Sequence, residues 1–272
     1  MLRATSLFES SLIRIERVDH PPEADHIDPK EEVSLQYSIN MMERGSFSIR
    51  DRARLMHVTA EQLFLTIPGR IHAYVHDEHD HAPTDVCVAV CFTDAARDDV
   101  AGLVDTLRDR PPVVPVTNRT AYVRNRLIAR LAANVDDPLA QDVTAIELLE
   151  AALEIRETHR YRPAQLDWYA RRIDAARRRL DDDFASDHTL SALSRDAGMS
   201  AFHFARVFRE LTGTPPHRYL LRRRLAAAAG HLREGRSVTD TCFAAGFHSL
   251  SHFIHAFRRQ FGVSPSRLDQ TR

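Results

Sequence analysis

Two groups of side chains have types and spacings that can do chemistry. The first is a crowd of histidines: His57, His72, His76, His79 and His81. Neutral imidazole is a common metal ligand, and His79-Asp80-His81 has the alternate spacing that a strand turns into a ligand pair. Its setting argues against that use. Asp77-Glu78-His79-Asp80-His81-Ala82-Pro83 reads as a polar loop, and a metal site needs a full ligand set in matched geometry. No metal and no cofactor are therefore expected. His72 follows Pro68-Gly69 closely enough to line the mouth of a barrel, or equally to pack in its core. Cys87, Ala89 and Cys91 share one face if their segment is a strand, and free cysteine there acts as a small hydrophobe. With Cys242 the cysteines number three, too few and too scattered for a disulfide framework.

The second group is a pair of arginine-bearing rows in an internal repeat. One copy runs Leu190-Ser-Ala-Leu193-Ser-Arg-Asp-Ala197-Gly198-Met199-Ser200, then Phe204, Phe208, Gly213 and Pro216. The other runs Val238-Thr-Asp-Thr241-Cys-Phe-Ala-Ala245-Gly246-Phe247-His248, then Phe253, Phe257, Gly262 and Pro265. The offset is 48 up to the glycine and 49 after it, so the second copy has one extra residue past its turn. Each copy has helix-turn-helix logic: a short helix, a glycine free to take the left-handed conformation, an apolar plug (Met199 or Phe247), then a second helix. Phe204, Val207, Phe208 and Leu211 form one core stripe; Phe253, Ala256, Phe257 and Phe261 or Gln260 form the other. The opposite faces hold Phe202, Ala205, Arg206 and Arg209 in the first copy, and Ser251, Ile254, His255 and Arg258 in the second. The first turns of such faces meet base edges in a major groove. Arginine pairs with guanine through two hydrogen bonds, and apolar groups touch the thymine methyl. Arg206, Phe202, His255 and Ser251 are placed as base readers. Arg209, Arg258 and Arg218 or Arg222 are placed on phosphates.

These rows need elements to hold them. Thr189, Ser200 and the Ser237–Asp240 pair supply helix-start signals. Pro216 to about Glu234 predicts a long helix holding the two units apart, and Leu166–Phe184 an amphipathic helix before them. Charge agrees: from Tyr161 onward there are 19 arginines against 11 acidic residues, and before it 18 basic against 27 acidic. A basic half joined to an acidic half suits nucleic-acid binding by one of them. Upstream, Val33–Ile39, Phe47–Ile49, Gln62–Ile67 and Val86–Phe92 read as strands, with turns at Arg44-Gly45-Ser46 and Pro68-Gly69. Thr117–Asn134 and Gln141–Thr158 read as a helical hairpin interrupted at Pro138. The expected class is α+β: a small N-terminal β-barrel with a helical hairpin over residues 1–160, then an all-α domain over 165–272. No apolar run is long enough for a membrane helix, and the N-terminus has no signal-like core. A cytoplasmic protein without a membrane role is expected.

The C-terminal residues resemble the AraC/XylS family of bacterial transcription regulators. Ala244-Ala245-Gly246-Phe247-His248-Ser249-Leu250-Ser251-His252-Phe253-Ile254-His255-Ala256-Phe257-Arg258-Arg259-Gln260-Phe261-Gly262-Val263-Ser264-Pro265 is close to that family's most specific signature, and the match runs from Thr189 to Leu268. One departure is His255, where the family usually carries arginine. Neutral histidine offers fewer donors and no fixed charge.

The N-terminal half resembles the family's cupin-type effector domain through Arg44-Gly45, Ala60-Glu61-Gln62-Leu63-Phe64-Leu65 and Pro68-Gly69-Arg70-Ile71-His72-Ala73-Tyr74. By that resemblance Arg44 and Tyr74 match pocket residues of the arabinose-binding member, while Cys87 and Ala89 fall near its histidine and tryptophan. Without the tryptophan a sugar-stacking surface is missing, so arabinose is not the expected ligand. The resemblance implies a dimeric regulator that is not an enzyme. Its partners would be double-stranded DNA, a small-molecule effector, a second copy joined through helices 117–134 and 141–158, and, as a further candidate, RNA polymerase. Two rivals stand beside it: a constitutive dimeric DNA-binding protein, and a cupin metal enzyme fused to a DNA-binding domain.

Overall fold

The computed structural model describes residues 3–19, 31–75, 85–104, 110–133, 137–154 and 160–269. The chain divides into two compact units, Met1–Arg160 and Tyr161–Arg272.

The described part of the first unit carries strands β1 (Arg3–Glu9), β2 (Ile13–Asp19), β3 (Glu32–Val33), β4 (Ser38–Arg44), β5 (Phe47–Asp51), β6 (Arg54–Val58), β7 (Gln62–Thr66), β8 (Ile71–Val75), β9 (Val86–Phe92) and β10 (Val113–Pro115). Helix α1 (Arg97–Val104) precedes β10, and the pair α2 (Asn118–Ala132) and α3 (Pro138–Leu153) follows it. One sheet has the order β1-β2-β9-β4-β7-β10 and the other β3-β8-β5-β6. Met42 and Phe64 of the larger sheet meet Phe47, Ile49 and Val58 of the smaller one in a common core. The larger sheet is apolar on its other face as well, where Ile13, Ile15, Ile39, Leu63 and Val90 are fully buried. Strand β9 therefore has no polar face, as expected for a strand enclosed on both sides.

Several boundaries differ from the sequence expectation. Val33–Ile39 is not one strand. β3 ends at Val33 and pairs with β8, whereas β4 starts at Ser38 and pairs with β7 and β9. Between them the chain changes sheets, held by Ser34 N–H donating to the Arg70 carbonyl at 2.9 Å and Gly69 N–H donating to the Ser34 carbonyl at 2.9 Å. β4 then runs on to Arg44, which was expected in a turn. Thr117 caps α2 through a reciprocal capping box with Thr120. Pro138 does not merely interrupt the hairpin but opens α3 at its first turn, where a missing N–H costs nothing, with Asp137 as the cap. α3 ends at Leu153 rather than Thr158, because Glu154 turns extended. Ion pairs tie α2 to α3 and its C-cap: Arg119 to Glu154 at 2.6 Å, Arg119 to Glu150 at 3.8 Å and Arg126 to Glu147 at 2.7 Å.

The second unit is helical: α4 (Pro163–Asp182), α5 (Leu190–Asp196), α6 (Ala201–Thr212), α7 (Pro216–Arg233), α8 (Val238–Ala244), α9 (Leu250–Phe261) and α10 (Pro265–Asp269). It begins at Tyr161 rather than residue 165, and α4 opens on Pro163 rather than Leu166. α5–α6 and α8–α9 are the two helix-turn-helix pairs. Their turns share one hydrogen-bond pattern. Gly198 N–H donates to Arg195 O at 3.0 Å and Met199 N–H to Ser194 O at 2.9 Å; Gly246 N–H donates to Phe243 O at 3.0 Å and Phe247 N–H to Cys242 O at 3.0 Å. These are Schellman closures, which need a left-handed residue after the cap; Gly198 has φ 65° and Gly246 φ 79°. Thr189, Ser200, Ser237 and Ser249 each cap the following helix with a side-chain oxygen.

The two glycines differ in surroundings. A Cβ on Gly198 meets open space, but on Gly246 it would collide with the Ala185 carbonyl oxygen. Gly198→Ala is thus expected to cost about 1–2 kcal/mol for the left-handed φ alone. Gly246→Ala adds about 1–3 kcal/mol of overpacking against backbone. Chemical denaturation of the two variants, compared at equal slope, checks the order.

Candidate nucleic-acid interface

Each recognition helix is amphipathic, and its buried stripe decides what the other side presents. In α6, Phe204, Val207, Phe208 and Leu211 are fully buried. That leaves Phe202, Arg206 and Arg209 exposed, with Ala205 half-buried between them. In α9, Phe253 and Phe257 are fully buried and Ala256 nearly so, leaving Ser251, Ile254, His255 and Arg258 exposed. Phe261 and Gln260, the expected ends of that stripe, are both exposed; Phe261 instead stacks on Phe257 at 4.6 Å. Phe202 is 82% exposed at the first turn of α6. At that place its ring is free to meet an apolar group such as a thymine methyl.

The side chains of Arg209 and Arg258 have no ion-pair partner among the described residues, so their charges are available to phosphate. Arg218 is exposed near the start of α7. Arg222 is exposed one turn later, with Nη1 donating to Thr214 Oγ1 at 3.4 Å. Helix α7 joins the two helix-turn-helix pairs with 18 residues, about 27 Å at the usual rise. Arg224 anchors the strut by donating to Phe184 O at 2.8 Å and Ser186 O at 2.9 Å. The extra residue of the second turn, His248, meets Asp187 at 2.9 Å and holds that exposed carboxyl below its ordinary range, by hydrogen bond first and charge second.

The proposed effector residues fall in the first unit. His72, Tyr74 and Phe64 stand edge to face, with His72–Tyr74 at 5.2 Å and Phe64–His72 at 5.3 Å. Tyr74 and Cys87 both pack on the core cluster around Phe47 and Phe64. Ala89 is buried on the same side of β9 as Cys87. Arg44 is not among them: it ends β4 and is exposed. Burial pushes the Cys87 thiol up to about 12 and the Cys91 thiol up to about 11, so neither forms the thiolate that redox chemistry needs. His72 is 4% exposed, its Nδ1 lies 3.4 Å from Ser34 Oγ, and among the described residues its buried Nε2 has no hydrogen-bond partner. Loss of hydration lowers its pKa, so the ring is neutral. His76, His79 and His81 lie outside the described residues. Among the described residues no three histidine, cysteine or carboxylate side chains gather as a metal-ligand set.

The family model for the helix-turn-helix domain matches residues 193–271. The transcriptional activator RhaS of Escherichia coli is 37% identical over 94 residues, which is 34% of this chain and 34% of RhaS. The C-terminal unit is an AraC-type helix-turn-helix DNA-binding domain. The chain thus spans about a third of the length of the curated relatives it matches. A probable AraC family regulator from Rhodopseudomonas palustris is 25% identical, with TM-score 0.35, over 37% of this chain and 95% of that one. ToxT of Vibrio cholerae is similar at 11% identity and TM-score 0.36 over 95% of this chain and 97% of its own. Among the described residues no helix is long and apolar enough to cross a membrane.

Within the AraC-type domain, the sequence reading missed the Ser249 cap. The repeat itself held the signal, since Ser249 lies 49 residues after Ser200. It also missed His203 and Tyr169, whose contact no spacing reveals.

Proposed function

We propose that this chain is a dimeric transcription regulator that reads two neighbouring DNA half-sites and is controlled by a small molecule in its N-terminal core. The observation that carries the DNA reading is the duplicated Schellman turn, which leaves an exposed row on each of α6 and α9 within one arginine-rich unit. Phe202, Arg206, Ser251 and His255 meet bases; Arg209, Arg258, Arg218 and Arg222 meet backbone. Selection of bound sequences from a random DNA pool, followed by titrations at several salt concentrations, tests the roles. Arg206→Ala is expected to relax preference at one base position, by about 1–3 kcal/mol of discrimination. Arg209→Ala and Arg258→Ala are expected to weaken all sequences alike and to lower the salt slope by about one each. Uniform weakening by Arg206→Ala would remove its reading role.

A second copy is supported by the outer face of α3. Leu139, Val143 and Ile146 are 73%, 46% and 37% exposed and follow one another at helical spacing, an apolar row suited to another helix. Leu139→Glu with Val143→Glu is expected to shift sedimentation from dimer to monomer. A wild-type monomer at the same concentration would refute the assignment.

Ligand control is supported by His72. A buried, neutral ring set between Phe64 and Tyr74, with one nitrogen unpartnered among the described residues, suits a largely apolar molecule with one hydrogen-bonding group. A compound panel is expected to contain a molecule that raises the thermal midpoint, as folded-state binding requires. His72→Phe should abolish that rise. A rise that survives the substitution would place the molecule elsewhere.

A further inference from the structure

Arg206 is tied into a side-chain relay that the repeat does not predict. One turn earlier on α6, His203 places Nδ1 3.4 Å from the Arg206 guanidinium. Its Nε2 lies 3.0 Å from the Tyr169 hydroxyl on α4, and the two rings stand 5.5 Å apart. Tyr169 is 7% exposed and stacks at 4.8 Å on Tyr161, the first residue of the C-terminal unit. The Tyr161 hydroxyl donates to Glu210 Oε2 at 2.6 Å, and Glu210 lies one turn beyond Arg206 on the same helix. Burial and the Glu210 bond both raise the Tyr161 hydroxyl pKa, and the Arg206 charge opposes them. Arg206 is thus flanked by two groups, His203 and Glu210, that α4 and the entering chain hold in place.

The proton positions follow from donor and acceptor capacity. A guanidinium only donates, so the contact makes His203 Nδ1 the acceptor and leaves a ring proton on Nε2. That proton goes to the Tyr169 oxygen, which also receives Gln165 Nε2–H at 3.4 Å. Every contact in the relay then has one donor and one acceptor, which is the basis on which this tautomer is assigned.

The second recognition helix has no such arrangement. Its position equivalent to His203 is His252, whose ring lies against Phe247 at 5.8 Å. Among the described residues neither His252 nor His255 makes a side-chain hydrogen bond. The relay is therefore not a generic consequence of the repeat.

We propose that Tyr169 and His203 are positioning residues for Arg206, holding its guanidinium in the orientation that reads the first half-site and linking it to Tyr161 where the chain enters the domain. This rests on Arg206 being a base reader. The hydrogen bonds restrict a long, exposed side chain before DNA arrives, so less freedom is lost on binding.

The test uses the full chain, the DNA sequence it selects, and that sequence changed at the base that responds to Arg206→Ala. Tyr169→Phe keeps the ring stack and removes the hydroxyl; His203→Leu removes both hydrogen bonds of the imidazole. Each is expected to lower discrimination at that base by about three- to tenfold, the range for one hydrogen bond. Discrimination in the second half-site and the thermal midpoint should stay unchanged in Tyr169→Phe. His203→Gln, which restores an acceptor beside Arg206, should recover part of the loss. If Arg206→Ala leaves base preference intact, the reader assignment and the relay both fall. If Arg206→Ala relaxes it and neither Tyr169→Phe nor His203→Leu does, only the relay falls. Equal loss in both half-sites would show a structural effect and would likewise overturn it.

Discussion

The C-terminal domain depends on one backbone constraint: a helix must stop within seven residues and reverse without leaving buried carbonyls unsatisfied. The amides of the glycine and of the residue after it do this twice, folding back over the last turn of α5 and of α8. Because the reversal is closed by hydrogen bonds, the angle between the helices of each pair is set by the backbone. Packing then follows. The phenylalanine pairs Phe204–Phe208 and Phe253–Phe257, at 5.7 and 5.6 Å, occupy equivalent places under the two recognition helices. The exposed rows are what remains once those stripes are buried. Which side chains α6 and α9 present to solvent is thus a consequence of where the core lies.

Duplication does not make the halves equal. The second turn has tighter surroundings, since Gly246 backs onto Ala185 while Gly198 faces open space. It also has an extra residue, His248, engaged with Asp187. The first recognition helix carries Arg206, contacted by His203; the second carries His255, which has no such support. A rigid charged reader in one half-site and a weaker neutral one in the other would make the first half-site dominate discrimination.

What the sequence revealed and what it concealed have physical causes. The repeat was readable because glycine, phenylalanine and proline are each demanded by backbone geometry or core packing, and these recur at fixed offsets. β9 was readable as an unbroken apolar run. β1 was not, because nearly all of it is exposed and it carries no apolar stripe. β2 alternates properly, but the positions between its buried isoleucines are Arg14 and Glu16, paired at 3.0 Å; charge disguised a strand whose Ile13 and Ile15 are fully buried. Val33–Ile39 alternated like one strand, yet the chain changes sheets within it, and periodicity carries no record of partners. Among the site residues, the exposed rows could be placed from helical spacing alone. The His203–Tyr169 contact spans 34 positions and depends on how α4 crosses α6. The orphaned nitrogen of His72 likewise becomes visible only once Phe64 and Tyr74 surround it.

The claim on which the rest stands is that α6 and α9 enter neighbouring major grooves on one face of a duplex. Hydroxyl-radical footprinting of the full chain on its selected sequence measures this directly. The account predicts two protected stretches on the same face, with centres about 10–10.5 base pairs apart. A single stretch, or two stretches on opposite faces, would contradict it.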